Sequence, residues 1–146
     1  MRTKLVSVLL FGAFAAACRT SGESPRDAAL LQLSVNRQKW STAAVHNYSF
    51  DYDFTANVFS PPIHITVQND LVTRVTDRSS GAVYSNSGAP TVDTLFTRVD
   101  NLIRNPSTDV IVTYDGQFGF PAKIEQPSSI PDASTVTTVT NFQPSP

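Results

Sequence analysis

Residues 110–124, Val-Ile-Val-Thr-Tyr-Asp-Gly-Gln-Phe-Gly-Phe-Pro-Ala-Lys-Ile, narrow the possible folds more than any other stretch. Apolar residues alternate into Tyr114, a turn signal follows at Asp115-Gly116, and Gly119-Phe120-Pro121 opens a second alternating run. A period of two on both sides of turn residues specifies a β-hairpin, here with a built-up, slightly irregular turn. Its two strands are expected to form the middle of an antiparallel sheet.

The preceding chain supplies the partners. Ser24-Pro25-Arg26-Asp27 has the pattern of a helix start: a capping hydroxyl, proline at the first helical position, and a carboxylate near the free N–H groups. Leu30, Leu33, Trp40 and Ala44 then fall near one face as far as about His46, with Arg37 interrupting and its stem free to lie along the apolar surface. Asn47 ends this helix. Tyr48, Phe50, Tyr52 and Phe54 alternate with Ser49, Asp51 and Asp53, so one face of this strand is core and the other wet. Pro61-Pro62 interrupts. Residues 63–67 and 71–75 then flank Gln68-Asn69-Asp70, a second hairpin whose Asn and Asp tolerate a left-handed turn.

Residues 77–91 are rich in Ser, Gly, Asn and Pro, with only Val83 and Tyr84 as anchors, and read as a loop. Thr91 caps a second helix carrying Val92, Leu95, Phe96, Val99, Leu102 and Ile103 at helical spacing, and Asn105-Pro106 stops it. After the 110–124 hairpin, Val136, Val139 and Phe142 mark a last strand before a Gln-Pro-Ser-Pro tail that is expected not to continue a sheet. The expected fold is therefore α+β. A curved antiparallel sheet of about five or six strands would carry two helices on one face, in the order α-β-β-β-α-β-β-β. The alternation that a doubly wound sheet requires is missing.

With 146 residues there is room for one domain and a leader. Arg2 and Lys4 precede residues 5–17, an apolar and small-residue run broken only by Ser7, which is too short to span a bilayer and suits a signal peptide. It ends in Ala15-Ala16-Ala17-Cys18, and Cys18 is the only cysteine. Small residues before a cysteine there resemble a bacterial lipobox, in which the thiol receives a diacylglyceryl group and cleavage exposes an amino terminus that is then acylated. The other reading is an ordinary secretory cut after Ala17, leaving a free thiol. The expected organisation is a signal peptide over 1–17, a lipidated tether over 18–23, a single domain over 24–143 and a tail over 144–146. Loss of 1–17 leaves 9 basic and 12 acidic residues, a net charge near −3. That balance, with no basic patch, argues against a nucleic-acid partner.

Chemistry is sparsely signalled. His46 and His64 lack a second ligand at helical or hairpin spacing, so no metal site is expected. Asp51 and Asp53 share a strand face and could flank a cation, but no loop of oxygen ligands accompanies them. No G-x-S-x-G, phosphate loop or dinucleotide glycine fingerprint occurs, and no cofactor is expected. Tyr114, Asp115, Phe118 and Phe120 at the hairpin tip have two readings. They form either a contact patch or a structural turn in which Asp115 closes the loop, Gly119 takes positive φ and Pro121 protects an edge or bulge.

The same residues carry a resemblance. Trp40, Tyr48-x-Phe50, Val67-x-Asn69-Asp70-x-Val72, Thr91-x-Asp93-x-Leu95-Phe96 and Val112-x-Tyr114-Asp115-x-x-x-Gly119-Phe120-Pro121-x-x-Ile124, after a lipobox, resemble bacterial lipoproteins of domain-of-unknown-function family 6174. The likeness runs from about Arg37 to Phe142. It implies an exported, usually lipidated domain without assigned activity. Many such proteins carry Cys-Phe-Cys around the stretch that here reads Val58-Phe59-Ser60, and an acidic residue just after the isoleucine with an acidic cluster further on, where this chain has Glu125-Gln126-Pro127 and then a lone Asp132. A disulfide or acid-lined cation site in relatives would thus be absent or weakened here.

The function expected from these readings is a lipid-anchored, non-enzymatic binding or assembly module. It would be held by palmitate-type chains on Cys18 to the envelope membrane, on the outer membrane facing the periplasm, with an envelope protein as partner. The competing expectation is a periplasmic hydrolase or small-ligand carrier with a pocket between sheet and helices, rimmed by Asp51, Asp53 or His64.

Overall fold

A computed structural model describes residues 24–56, 60–130 and 133–146. The leader, Cys18 and the tether, together with Val58, Phe59 and Asp132, lie outside the described residues.

Helix α1 spans Pro25–Ala43. Ser24 caps it by accepting from the Asp27 N–H at 3.1 Å, and Pro25 occupies the first turn, where a missing N–H costs nothing. The helix ends at Ala44, which adopts φ 48° and returns its N–H to the Ser41 carbonyl, rather than running to about His46. Leu33 and Trp40 are its buried residues. Arg37, the interruption in the apolar stripe, places its guanidinium 5.5 Å from the centre of the Phe96 ring, so the charge meets a π-face.

Strands β1 (Tyr48–Thr55), β2 (Ile63–Gln68) and β3 (Leu71–Asp77) form an antiparallel meander. Asn69 and Asp70 take φ of 49° and 64°, the left-handed pair that a two-residue hairpin turn requires. Strand β4 (Val83–Tyr84) then pairs with β3. Helix α2 (Val92–Arg104) follows, capped by Thr91, whose hydroxyl oxygen accepts from the Thr94 N–H at 3.2 Å. Strands β5 (Ile111–Tyr114), β6 (Pro121–Gln126) and β7 (Thr135–Pro144) complete the chain.

The sheet corrects the expectation in strand count, shape and order. Among the described residues it has seven strands, β4-β3-β2-β1-β7-β6-β5, in one open order with β4 and β5 at its edges, instead of a curved sheet of five or six. The observed element order is α-β-β-β-β-α-β-β-β. The unexpected strand lies in the stretch read as a loop. Two residues carry no periodicity, and β4 is held by side-chain chemistry instead. Asp77 Oδ1 accepts from the Ser79 and Ser80 N–H groups, both at 2.7 Å, and its Oδ2 accepts from the Tyr84 hydroxyl at 2.8 Å.

The 110–124 hairpin is not the middle of the sheet. It forms one edge, and the centre is β1, paired with β2 on one side and β7 on the other. The chain leaves the meander at β4, crosses through α2, re-enters at the opposite edge and works inward until β7 lies beside β1. The last strand also runs further than expected: Pro144 pairs with Tyr48, and the Ser145 N–H donates to the Asn47 carbonyl at 2.8 Å.

Both helices pack on the face carrying Tyr48, Phe50, Ile65, Val67, Ile124 and Val139. Against it α2 sets Val92, Leu95, Phe96, Val99 and Ile103, and α1 sets Leu33 and Trp40. The register of β7 shifts at Asn141, which has φ 50°; this bulge returns Phe142 to the helix side, where its ring lies 4.6 Å from Phe120 and 5.9 Å from Trp40.

Candidate functional site on the open sheet face

The face of β1 turned away from the helices carries Ser49, Asp51 and Asp53. Antiparallel register puts His64 directly opposite Asp51, and Oδ1 of Asp51 lies 2.7 Å from His64 Nδ1. The bulge at Asn141 aims its amide at the same carboxylate, Nδ2 donating to Oδ2 at 2.6 Å. Arg78, just past β3 and tied by its backbone N–H to the Pro62 carbonyl, spans both acids. Its Nε is 3.3 Å from Asp51 Oδ2, and its Nη1 is 2.9 and 3.0 Å from the Asp53 oxygens. Asp51 is only 7 % exposed. Burial pushes its carboxyl up, but the hydrogen bonds from His64 and Asn141 and the nearby Arg78 charge outweigh that and hold it below the ordinary carboxylate value.

A guanidinium therefore stands where a cation between Asp51 and Asp53 would stand. No group of three His, Cys, Asp or Glu among the described residues is arranged to hold a metal ion. Asp51 fixes His64 through Nδ1, as in a base-orienting pair. Among the described residues no hydroxyl or thiol is hydrogen-bonded to the other ring nitrogen. His46 is remote from this network and sits 2.9 Å from Asp70 at the β2–β3 turn.

Asp51, Asp53 and His64 cannot rim a space between sheet and helices, because they occupy the opposite face. That space is filled by Phe50, Leu95 and Phe96. A concavity of about 450 Å³ lies instead between the helices, lined by Leu30, Leu33, Ser34, Arg37, Asp100 and Arg104 among others.

The hairpin tip is drawn against α1. Asp115 Oδ1 accepts from the Gln117 N–H at 2.9 Å and the Phe118 N–H at 2.5 Å, and the Asp115 N–H donates to the Phe120 carbonyl at 2.8 Å. Gly119 has φ 82°, and a Cβ built there would meet the Asn36 carbonyl oxygen at 2.7 Å. Lys39 Nζ donates to the Gly116 carbonyl. Phe120 is 4 % exposed, Phe118 is half-buried against Phe142, and Tyr114 stacks on Phe96. Burial pushes the Tyr114 phenol up to about 12, although the Arg37 charge acts to lower it. Sequence reasoning singled out Asp51, Asp53 and His64 but missed Arg78 and Asn141. The one local signal was an asparagine, a residue tolerant of left-handed backbone, inside a strand.

A family model described as a family of unknown function, DUF6174, matches residues 32–144. The chain belongs to the DUF6174 family. The match begins within α1 and ends at Pro144, the last residue of β7, so the DUF6174 region contains all seven strands and α2. It also contains every residue of the Asp51 network and the hairpin tip. No curated protein and no solved structure matches the chain.

Proposed function

We propose that this DUF6174 protein is a non-enzymatic binding or assembly module held to the envelope membrane by lipid on Cys18, on the outer membrane facing the periplasm. The observation that carries the binding reading is the sheet face that no helix among the described residues covers. Asp51, Asp53, His64 and Arg78 pair with one another on this surface, with the Asn141 amide of β7 donating to Asp51, instead of converging in a cleft where a substrate would be desolvated. Such a surface suits a protein partner better than a small molecule. The competing hydrolase or carrier reading has less support, since the helix–sheet space it needs holds the core.

The anchoring reading is supported by the placement of the single cysteine after a short apolar leader. No helix among the described residues is long and apolar enough to cross a membrane. Its test is Cys18→Ser with intact-mass measurement and membrane fractionation. The wild type should carry the added mass of acyl chains and pellet with membranes; the variant should lose the mass and either appear as released protein or persist as uncleaved precursor. A wild-type protein that begins at Cys18 with a free thiol and fractionates as soluble would sink the reading. For the binding face, photocrosslinkers at Thr66 and Thr140 should trap a discrete envelope protein that a crosslinker at Gln38 on α1 does not. Equal yields from both sides would argue against a specific face.

A further inference from the structure

The outer face of α1 carries an exposed apolar pair where a solvent-facing helix surface is ordinarily polar. Leu31 and Val35, one turn apart, are 53 % and 56 % exposed. Ala28 extends this stripe toward the N-terminus, Gln38 and Thr42 continue it, and Asp27 and Lys39 flank it one turn before Leu31 and one turn after Val35. The core side of the helix is already supplied by Leu33 and Trp40, so the outer pair is not needed for packing. The other large apolar side chains exposed among the described residues are Leu71, Val83, Tyr84, Ile111 and Ile130; none forms such a pair on one face of one element.

The position of this face relative to the anchor decides what covers it. Six residue steps separate Cys18 from Ser24, the cap of α1, and a chain of that length reaches at most about 20 Å. The 19-residue helix is itself about 28 Å long. A lipid on Cys18 therefore keeps the first eleven residues of α1, through Leu31 and Val35, within reach of the headgroup region. Arg26 and Asp27 at that end offset each other and leave no net charge to repel an anionic surface.

We propose that α1 rests on the bilayer through Leu31 and Val35, so that the open sheet face, on the far side of the domain, is turned toward the periplasm. This rests on the anchoring reading above and deepens it: the membrane sets the orientation in which the binding face is presented. The test couples a maleimide phospholipid to Cys18 of the mature protein, which supplies the anchor chemically. The conjugate is placed in phosphatidylethanolamine–phosphatidylglycerol vesicles with brominated acyl chains. Leu31→Trp should show a blue-shifted emission quenched at least twofold, above the constant background of buried Trp40. Ile111→Trp, on the helix-free side, should not.

Equal quenching of the two variants overturns the docking. So does concentration-dependent dimerisation of the uncoupled protein that Leu31→Glu with Val35→Glu abolishes, because the face would then belong to a second copy. The intact mass of protein recovered from cells reports the lipid separately. An unlipidated native protein removes the anchor and with it the proposed orientation, whereas lost quenching in the coupled protein removes α1 docking alone.

Discussion

The Tyr48 hydroxyl accepts a 3.1 Å hydrogen bond from the backbone N–H of Val92, the first residue of α2. The first N–H groups of a helix have no partner within it, so the central strand satisfies one of them directly in the core. The other core tyrosine contrasts with it: the Tyr114 hydroxyl is buried and has no hydrogen-bond partner among the described residues. Removing the two hydroxyls should therefore have opposite effects. Tyr48→Phe should cost about 1–3 kcal/mol, the penalty for a buried donor left unpaired, whereas Tyr114→Phe should be neutral or stabilising by up to about 1 kcal/mol. Urea titrations of both variants decide this, and losses of equal size would contradict the contrast.

The same burial predicts an alkaline limb. Burial pushes both the Tyr48 and Tyr114 phenols from near 10 up to about 12. A raised folded-state value means that this contribution to stability is complete below pH 10 and is lost as pH rises toward 12. Thermal midpoints should hold to about pH 10 and fall beyond it, with a smaller fall in Tyr114→Phe. A flat profile to pH 12 would refute the assignment.

Gly119→Ala should be more damaging than Gly88→Ala. Both glycines have positive φ, 82° and 83°, but an added Cβ at Gly88 meets nothing within 4 Å, while at Gly119 it runs into the backbone of α1. The backbone term alone is roughly 1–2 kcal/mol. Gly88→Ala should lose about that much, and Gly119→Ala clearly more as the hairpin is pushed off the helix. Matching denaturation midpoints would show that the turn relaxes freely.

Phe96 is fully buried, stacked on Tyr114 and covered by the Arg37 guanidinium. Truncation to alanine should cost about 3–5 kcal/mol. Chemical denaturation giving less than about 1 kcal/mol would mean that the α2 face is not packed as described.

At the acid end, the depressed Asp51 carboxyl contributes stability that is present above the ordinary aspartate value of about 3.9 and is lost as pH falls through its lower folded value. Asp51→Asn should flatten the decline in stability below pH 4 without removing it, because Asp77 is also held low by the Ser80 N–H and the Tyr84 hydroxyl. Parallel acid profiles for the wild type and the variant would exclude Asp51 as a source of the limb.

What the sequence determined by itself was local. The caps at Ser24 and Thr91, the left-handed Asn69-Asp70 turn, the two-faced β1 strand and the core stripe of α2 follow from residues a few positions apart, whose side chains and backbone settle the matter between them. The long-range relations were decided only by tertiary structure. A strand's alternation says which of its faces is apolar but not which neighbour it will pair with, and several strand orders bury the same faces. Thus the 110–124 hairpin went to an edge, β7 came to lie beside β1, and a two-residue strand was added at β4 through Asp77. The wet side of β1 was legible, but its content was not. Asp51 meets His64, Asn141 and Arg78 only because register and a bulge align four separate segments, and no local periodicity encodes that alignment.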